Sequence, residues 1–238
     1  MTPPPPSHPA DGPVAAAIEL LAKQGFDATS VEELAEASGM SRSTFFRRFG
    51  SKEDVVFADH ERILQQVNTR LADSRLEPLA AVADAALLVF DHHLRNRATS
   101  LARYGLLQAV PALRDRELVT SHRYERAFLR YLNDTLPRDG RREYAAVAFA
   151  AAVVAVHNAF LRQWLRAPFA AGESGQPDRS AALARELAAL AETFRPTLLG
   201  PGAPVDATEQ RAATVVVTVL AGPADKDAIA RAVRDALP

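Results

Sequence analysis

Apolar residues recur at helical spacing along most of this 238-residue chain. Val14, Ile18, Leu21 and Ala22 form one stripe, with Pro13 suited to a first turn and Gly25 to a stop, which predicts a helix over 13–24. Val55, Val56, Ile63, Leu64, Val67 and Leu71 predict one long helix from Ser51 to about Leu71. Leu79, Val82, Ala86, Val89, Phe90 and Leu94 predict another over 78–96. Further helices are expected over 99–110, closed by Pro111, over 117–136, closed by Pro137, over 141–166, closed near Pro168, and over 180–194. The Gly-, Ser- and Pro-rich stretch 170–177 reads as a loop. The class is all-α.

Both ends depart from this texture. Residues 1–12, M-T-P-P-P-P-S-H-P-A-D-G, read as a proline-rich disordered tail. Residues 200–238 read as a C-terminal extension. Within it, T-V-V-V-T-V-L over 214–220 is dense in β-branched residues and reads as a short strand, followed by a helix over 224–237. A lone strand needs partners for its backbone groups, and a second copy of the chain could supply them. A β-branched length of helix or packed coil is the alternative.

The segment from Thr29 to Lys52 carries the densest local signals. Ser30 followed by Glu33 makes a capping box, and Gly39 supplies a left-handed stop. Ser41 caps the next helix and Gly50 ends it. Ser51 opens another, with Asp54 at its third position. Two short helices about a Gly-containing turn form a helix-turn-helix, a unit that lays its second helix in the major groove of DNA. Phe45 and Phe49 share one face of that helix and can anchor it. Arg42, Ser43, Thr44, Phe46, Arg47 and Arg48 occupy the other faces. Residues 41–52 hold four basic residues and no acidic one, although residues 1–60 hold five Lys/Arg against nine Asp/Glu. Phosphate binding depends on local charge, so this concentration outweighs a net charge of −1. Short basic helices are also common as plain solvated faces; the caps, glycine stops and aromatic pair argue against that reading here.

From about Val14 to about Phe57 the chain runs through A-A-A-I-E-L-L-A-K-Q-G-F-D-A-T-S-V-E-E-L-A-E-A-S-G-M-S-R-S-T-F-F-R-R-F-G-S-K-E-D-V-V. This stretch, about a fifth of the chain, resembles the DNA-binding domain of tetracycline-repressor-type (TetR family) regulators. The resemblance implies a DNA-binding domain over 13–58 and a helical ligand-binding and dimerisation domain over 59–199. It implies a homodimer, with the last two helices of the second domain meeting their copies. Arg42, Ser43, Thr44 and Arg48 would meet bases or phosphates, with Arg47 and Ser41 beside them, and Phe46 would touch sugar or a thymine methyl. Thr29, Ser30 and Lys52 would bind phosphates. Two departures weaken the anchoring to the DNA backbone. The family usually has Tyr where this chain has Phe46, and basic residues before the first helix where this chain has Pro and Asp.

The absence of cysteine removes disulfides and thiolate chemistry. The first residues have neither a basic start nor an apolar stretch, so no secretory signal is expected and the cytoplasm is the expected compartment. The longest apolar run, Ala145 to Val156, is too short to span a bilayer, and no membrane partner is expected.

Polar and aromatic residues on otherwise apolar helices mark candidate cavity walls: His92, His93, Tyr104, Gln108, Tyr124, Phe128, Tyr131, His157, Phe160 and Trp164, with Asn158 and Gln163 beside them. Singly, each is as well explained as core or solvated surface. As a set they point to a small lipophilic or aromatic ligand. Shifting the helix from Ser51 would then change the spacing of two recognition helices and release a palindromic operator. One alternative is a DNA-binding regulator without a small ligand, controlled by a protein partner. A helical enzyme using His92 and His157 is the other; but His92 and His93 point about 100° apart on a helix. No carboxylate–histidine motif, phosphate loop or G-x-S-x-G elbow accompanies them, so no catalytic residue, metal or cofactor is expected.

Overall fold

The computed structural model describes residues 12–137, 140–167 and 176–200. Among them lie ten α-helices and no strand: α1 (Gly12–Gln24), α2 (Val31–Ala37), α3 (Arg42–Phe49), α4 (Lys52–Val55), α5 (Ala58–Ala72), α6 (Pro78–Arg95), α7 (Arg97–Ala109), α8 (Pro111–Thr135), α9 (Gly140–Arg166) and α10 (Gln176–Leu198). The expected tail at the N-terminus, most of the 170–177 loop and the strand and helix expected beyond 200 lie outside the described residues.

Two apolar cores organise the helices. The N-terminal core gathers Ile18 and Leu21 of α1, Leu34 of α2, Phe45 and Phe49 of α3, and Val55, Val56 and Phe57. Leu106 and Leu107 of α7 and Leu113 of α8 close it, so helices from later in the chain complete this core. The larger core is centred on α6. Leu79, Val82, Val89 and Phe90 meet Ile63 and Val67 of α5, Phe128 of α8, Phe149 and Val153 of α9, and Leu183 and Leu187 of α10.

The helix-turn-helix forms as its capping residues dictate. Ser30 accepts from the Glu33 amide at 3.3 Å, and the Glu33 carboxylate accepts from the Ser30 amide at 2.8 Å. Gly39 takes φ +67°, a backbone state that costs other residues about 1–2 kcal/mol. Ser41 accepts from the Thr44 amide at 3.2 Å. Ser51 repeats the device with the Asp54 amide at 3.0 Å.

The helix expected from Ser51 to Leu71 is broken. α4 ends at Val55, and the Val56 and Phe57 amides bond only three residues back, to Glu53 and Asp54. The His60 amide then bonds Phe57 rather than Val56, at 3.0 Å. Three consecutive residues, Val55, Val56 and Phe57, are all buried in the N-terminal core. A straight helix would spread them over about 200° of its circumference. The break reconciles their common burial with α5 facing the other core.

Two further bounds move. α8 begins at Pro111 instead of 117, because proline suits a first turn and Leu113 is fully buried. α10 runs past Phe194 to the fully buried Leu198. The 12-residue apolar run on α9 understated that helix: as a whole, Gly140–Arg166 is long and apolar enough by length and composition to cross a membrane. One face of it, from Ala146 through Phe149 and Val153 to His157, is buried within the bundle.

Candidate nucleic-acid interface and inner cavity

α3 is held from one side only. Phe45 is fully buried and its ring lies 5.0 Å from that of Phe49. Burial of two such rings stabilises the helix position by roughly 1.5–3 kcal/mol each. Opposite them, Arg42, Ser43, Phe46, Arg47 and Arg48 are exposed. Arg42 pairs with Glu32 at 2.9 Å and lies 5.6 Å from the centre of the Phe46 ring. Arg48 lies over Phe49 at 5.2 Å. Ser41 is exposed and half occupied with capping, since its hydroxyl also contacts those of Ser43 and Thr44 at 3.1 and 3.0 Å. Ser30 is exposed at the start of α2.

Two residues expected at phosphates also make bonds within the fold. Thr29 is 2% exposed and its hydroxyl donates to the Gly25 carbonyl at 2.7 Å, which ties the turn after α1. Lys52 donates from Nζ to the carbonyls of Phe26 at 2.7 Å and Thr29 at 3.2 Å, and the ammonium sits 4.5 Å from the centre of the Phe26 ring. The carbonyls at that turn lack helical partners, and a lysine reaching them satisfies them.

The bundle holds a partly open cavity of about 80 Å³. Six of the expected wall residues border it: His93, Tyr104, Tyr124, Phe128, His157 and Asn158. The others do not. His92 turns to Asp59, 3.6 Å away, and to Asn96. Gln108 is exposed, and its backbone carbonyl accepts from Arg114. Tyr131 and Phe160 pack on the outside of the core, Gln163 is exposed, and Trp164 is buried beneath Arg97. On each helix only one stripe reaches the cavity, and helical spacing alone cannot say which.

The cavity's charged wall was not legible as a site. Arg103 and Asp59 form a buried ion pair, one guanidinium nitrogen 2.7 Å from each carboxylate oxygen. Burial would raise the Asp59 pKa, but the Arg103 charge, a bond from His92 and neighbouring His60 hold it well below the usual range. His60 borders the cavity and shares a 3.0 Å hydrogen bond between Nδ1 and the Tyr124 hydroxyl. Burial outweighs Asp59 and lowers the His60 pKa to about 3. The same cause takes His93 well below its usual value and His157 to about 4. Three neutral imidazoles therefore line one apolar space. At its edge Glu117 is raised by burial, opposed by Arg162. Among the described residues no three His, Cys, Asp or Glu side chains are grouped so as to hold a metal ion.

Residues 14–58, which span α1 to the start of α5, match the family model described as bacterial regulatory proteins, tetR family. Over this stretch the chain carries the tetR-family DNA-binding segment. Over 77 residues it is 40% identical to MftR of Mycobacterium tuberculosis, a candidate regulator of mycofactocin biosynthesis, covering 32% of this chain and 38% of that one. Over 107 residues it is 35% identical to the helix-turn-helix transcriptional regulator TcmR of Streptomyces glaucescens, covering 41% of this chain and 46% of that one. The chain thus spans less than half the length of each. In fold it is similar to MexZ, a repressor responsible for antibiotic resistance in Pseudomonas aeruginosa, with a TM-score of 0.52 at 19% identity over 80% of this chain and 98% of that one. That likeness is one of fold, and it covers the bundle as well as the helix-turn-helix.

Proposed function

We propose that this tetR-family protein is a dimeric transcriptional repressor that binds a palindromic operator and leaves it when a small lipophilic or aromatic molecule fills the inner cavity. The observation carrying this reading is the polarity of α3. Its aromatic pair is buried, and its exposed surface bears Arg42, Ser43, Phe46, Arg47 and Arg48 with no acidic residue of its own. Arginines of this kind meet phosphates and the edges of guanine, while Phe46 suits a sugar or thymine methyl. Phe46 is 41% exposed, an apolar cost that a DNA contact would relieve.

Dimerisation is supported by the outer face of α9, where Tyr144 is 78% and Val147 47% exposed. One short helix reads few base pairs, and a two-fold pair reads two half-sites. The cavity supports the effector, and its wall includes Phe57 and His60 at the break between α4 and α5. A ligand that favours one setting of this break over another would alter the spacing of two α3 helices. A repressor acts where the chromosome is, which implies the cytoplasm.

The test is fluorescence anisotropy of the purified protein on labelled duplex from beside its own gene, at physiological salt, with random duplex as competitor. Non-specific binding weakens steeply with salt, so competitor-resistant binding supports an operator. Binding equal to that of random DNA on every duplex tried counts against the reading.

A further inference from the structure

One polar atom at the cavity has no partner. His157 lines the cavity at 7% exposure, and its Nε2 makes no hydrogen bond. The other ring nitrogen fixes the character of that atom. Nδ1 lies 3.1 Å from Oδ1 of Asn158, whose Nδ2 donates to Ser121 at 3.2 Å. The amide is thus oriented with its oxygen toward the imidazole, so Nδ1 carries the proton and donates. Nε2 is left as a buried lone pair, costly until a donor meets it.

The surroundings narrow the donor. Phe57, Phe128, Val154 and Leu161 give aromatic and aliphatic walls, and Arg103 is neutralised by Asp59. The other two charged wall residues, Glu117 and Arg162, oppose one another at the cavity's edge, so a charged ligand group deeper in would lack a free counter-charge. The cavity's volume of about 80 Å³ suits a single substituted ring rather than a fused polycycle.

We propose that the cavity takes a neutral single-ring aromatic alcohol, a phenol, whose hydroxyl donates to Nε2 of His157. This rests on the reading of the cavity as an effector site, and it adds the chemical class and the recognising atom.

p-Cresol and toluene test it, because they share ring and methyl and differ in the hydroxyl. By calorimetry on the full chain, p-cresol binds about tenfold or more tighter than toluene, the difference expected when a buried acceptor is matched. His157→Phe keeps an aromatic ring without the acceptor and brings the two ligands within about twofold. Nitrogen NMR of the unmodified protein gives a reading independent of any variant: the Nε2 signal of His157 moves with p-cresol and stays with toluene. Equal binding of the two ligands, binding of neither at millimolar concentration, or an Nε2 signal indifferent to p-cresol overturns the proposal. DNA binding measured alongside separates the two claims. If p-cresol binds at His157 while DNA stays bound, the ligand assignment stands and the release reading falls. If DNA binds and p-cresol does not, the ligand assignment falls alone.

Discussion

Arg103 grips Asp59 through both carboxylate oxygens at 2.7 Å, while its Nε donates to the Val56 carbonyl at 2.8 Å. Val56 is the residue whose carbonyl the helix break leaves without its usual amide partner, because the His60 amide has moved to Phe57. Arg103 stands on α7 and borders the cavity. One side chain therefore joins the cavity wall to the joint between the N-terminal core and the bundle.

Breaking that grip exposes its cost. Arg103→Met leaves Asp59 charged and buried with only the His92 contact, and is expected to lower stability by about 3–5 kcal/mol in denaturant unfolding. The double variant Arg103→Met, Asp59→Leu should lose less than the sum of the two single changes, because it removes both charges together. Strict additivity would show that the pair is not coupled.

Acid should weaken the protein before its carboxylates titrate. His60 and His157 are depressed to about 3 and about 4 from an ordinary 6.5, and His93 lies well below it too. Between those values and 6.5 the unfolded chain binds protons that the folded chain refuses, so stability falls as pH drops through 6.5 toward 4. The slope is up to about 1.4 kcal/mol per histidine per pH unit. Glu117, raised by burial, opposes this near the bottom of the window. Equal denaturant midpoints at neutral pH and at about pH 5 would contradict neutral buried imidazoles.

Lys52 and Arg47 should separate structure from DNA contact. Lys52→Met removes two bonds to buried-turn carbonyls and should lower stability by about 1.5–3 kcal/mol, with little change in the salt dependence of DNA binding. Arg47→Ala should leave stability nearly unchanged and reduce the slope of log affinity against log salt by about one. The reverse pattern would return Lys52 to the phosphates.

Gly39 tests the turn of the helix-turn-helix. A Cβ there meets nothing within 4 Å, so the whole penalty of Gly39→Ala is its positive φ. A loss of about 1–2 kcal/mol in thermal or denaturant unfolding is expected. No loss would mean that the turn relaxes to another conformation.

The local chemistry of the first domain was readable because each signal acts over three or four residues. Ser30 with Glu33, Ser41 with Thr44, and Gly39 with its positive φ settle their own helix ends. The break at Val56 was not readable, because it arises from two cores competing for neighbouring residues. The bonds of Thr29 and Lys52 within the fold were not readable, because the carbonyls they satisfy lie on one turn, 4 and 23–26 residues away in sequence. The buried pair left a trace that sequence reasoning passed over. Asp59 stands on the same α5 stripe as Ile63 and Val67, and Arg103 on the same α7 face as Leu106 and Leu107. A charge within an apolar stripe asks for a partner, though the stripe does not say which one. The cavity walls followed the same limit: Tyr124 and Phe128 face inward, and Tyr131 on the same helix does not.

The most direct measurement is an unbiased selection of duplexes from a random pool by the full-length protein, sequenced after several rounds at physiological salt. The expected result is a palindromic motif with half-sites about one helical turn apart, and a loss of about 1–3 kcal/mol in affinity for it in Arg48→Ala. Recovery of no motif, or of a motif that a folded Arg48→Ala protein binds unchanged, would contradict the reading of α3 as the helix that meets DNA.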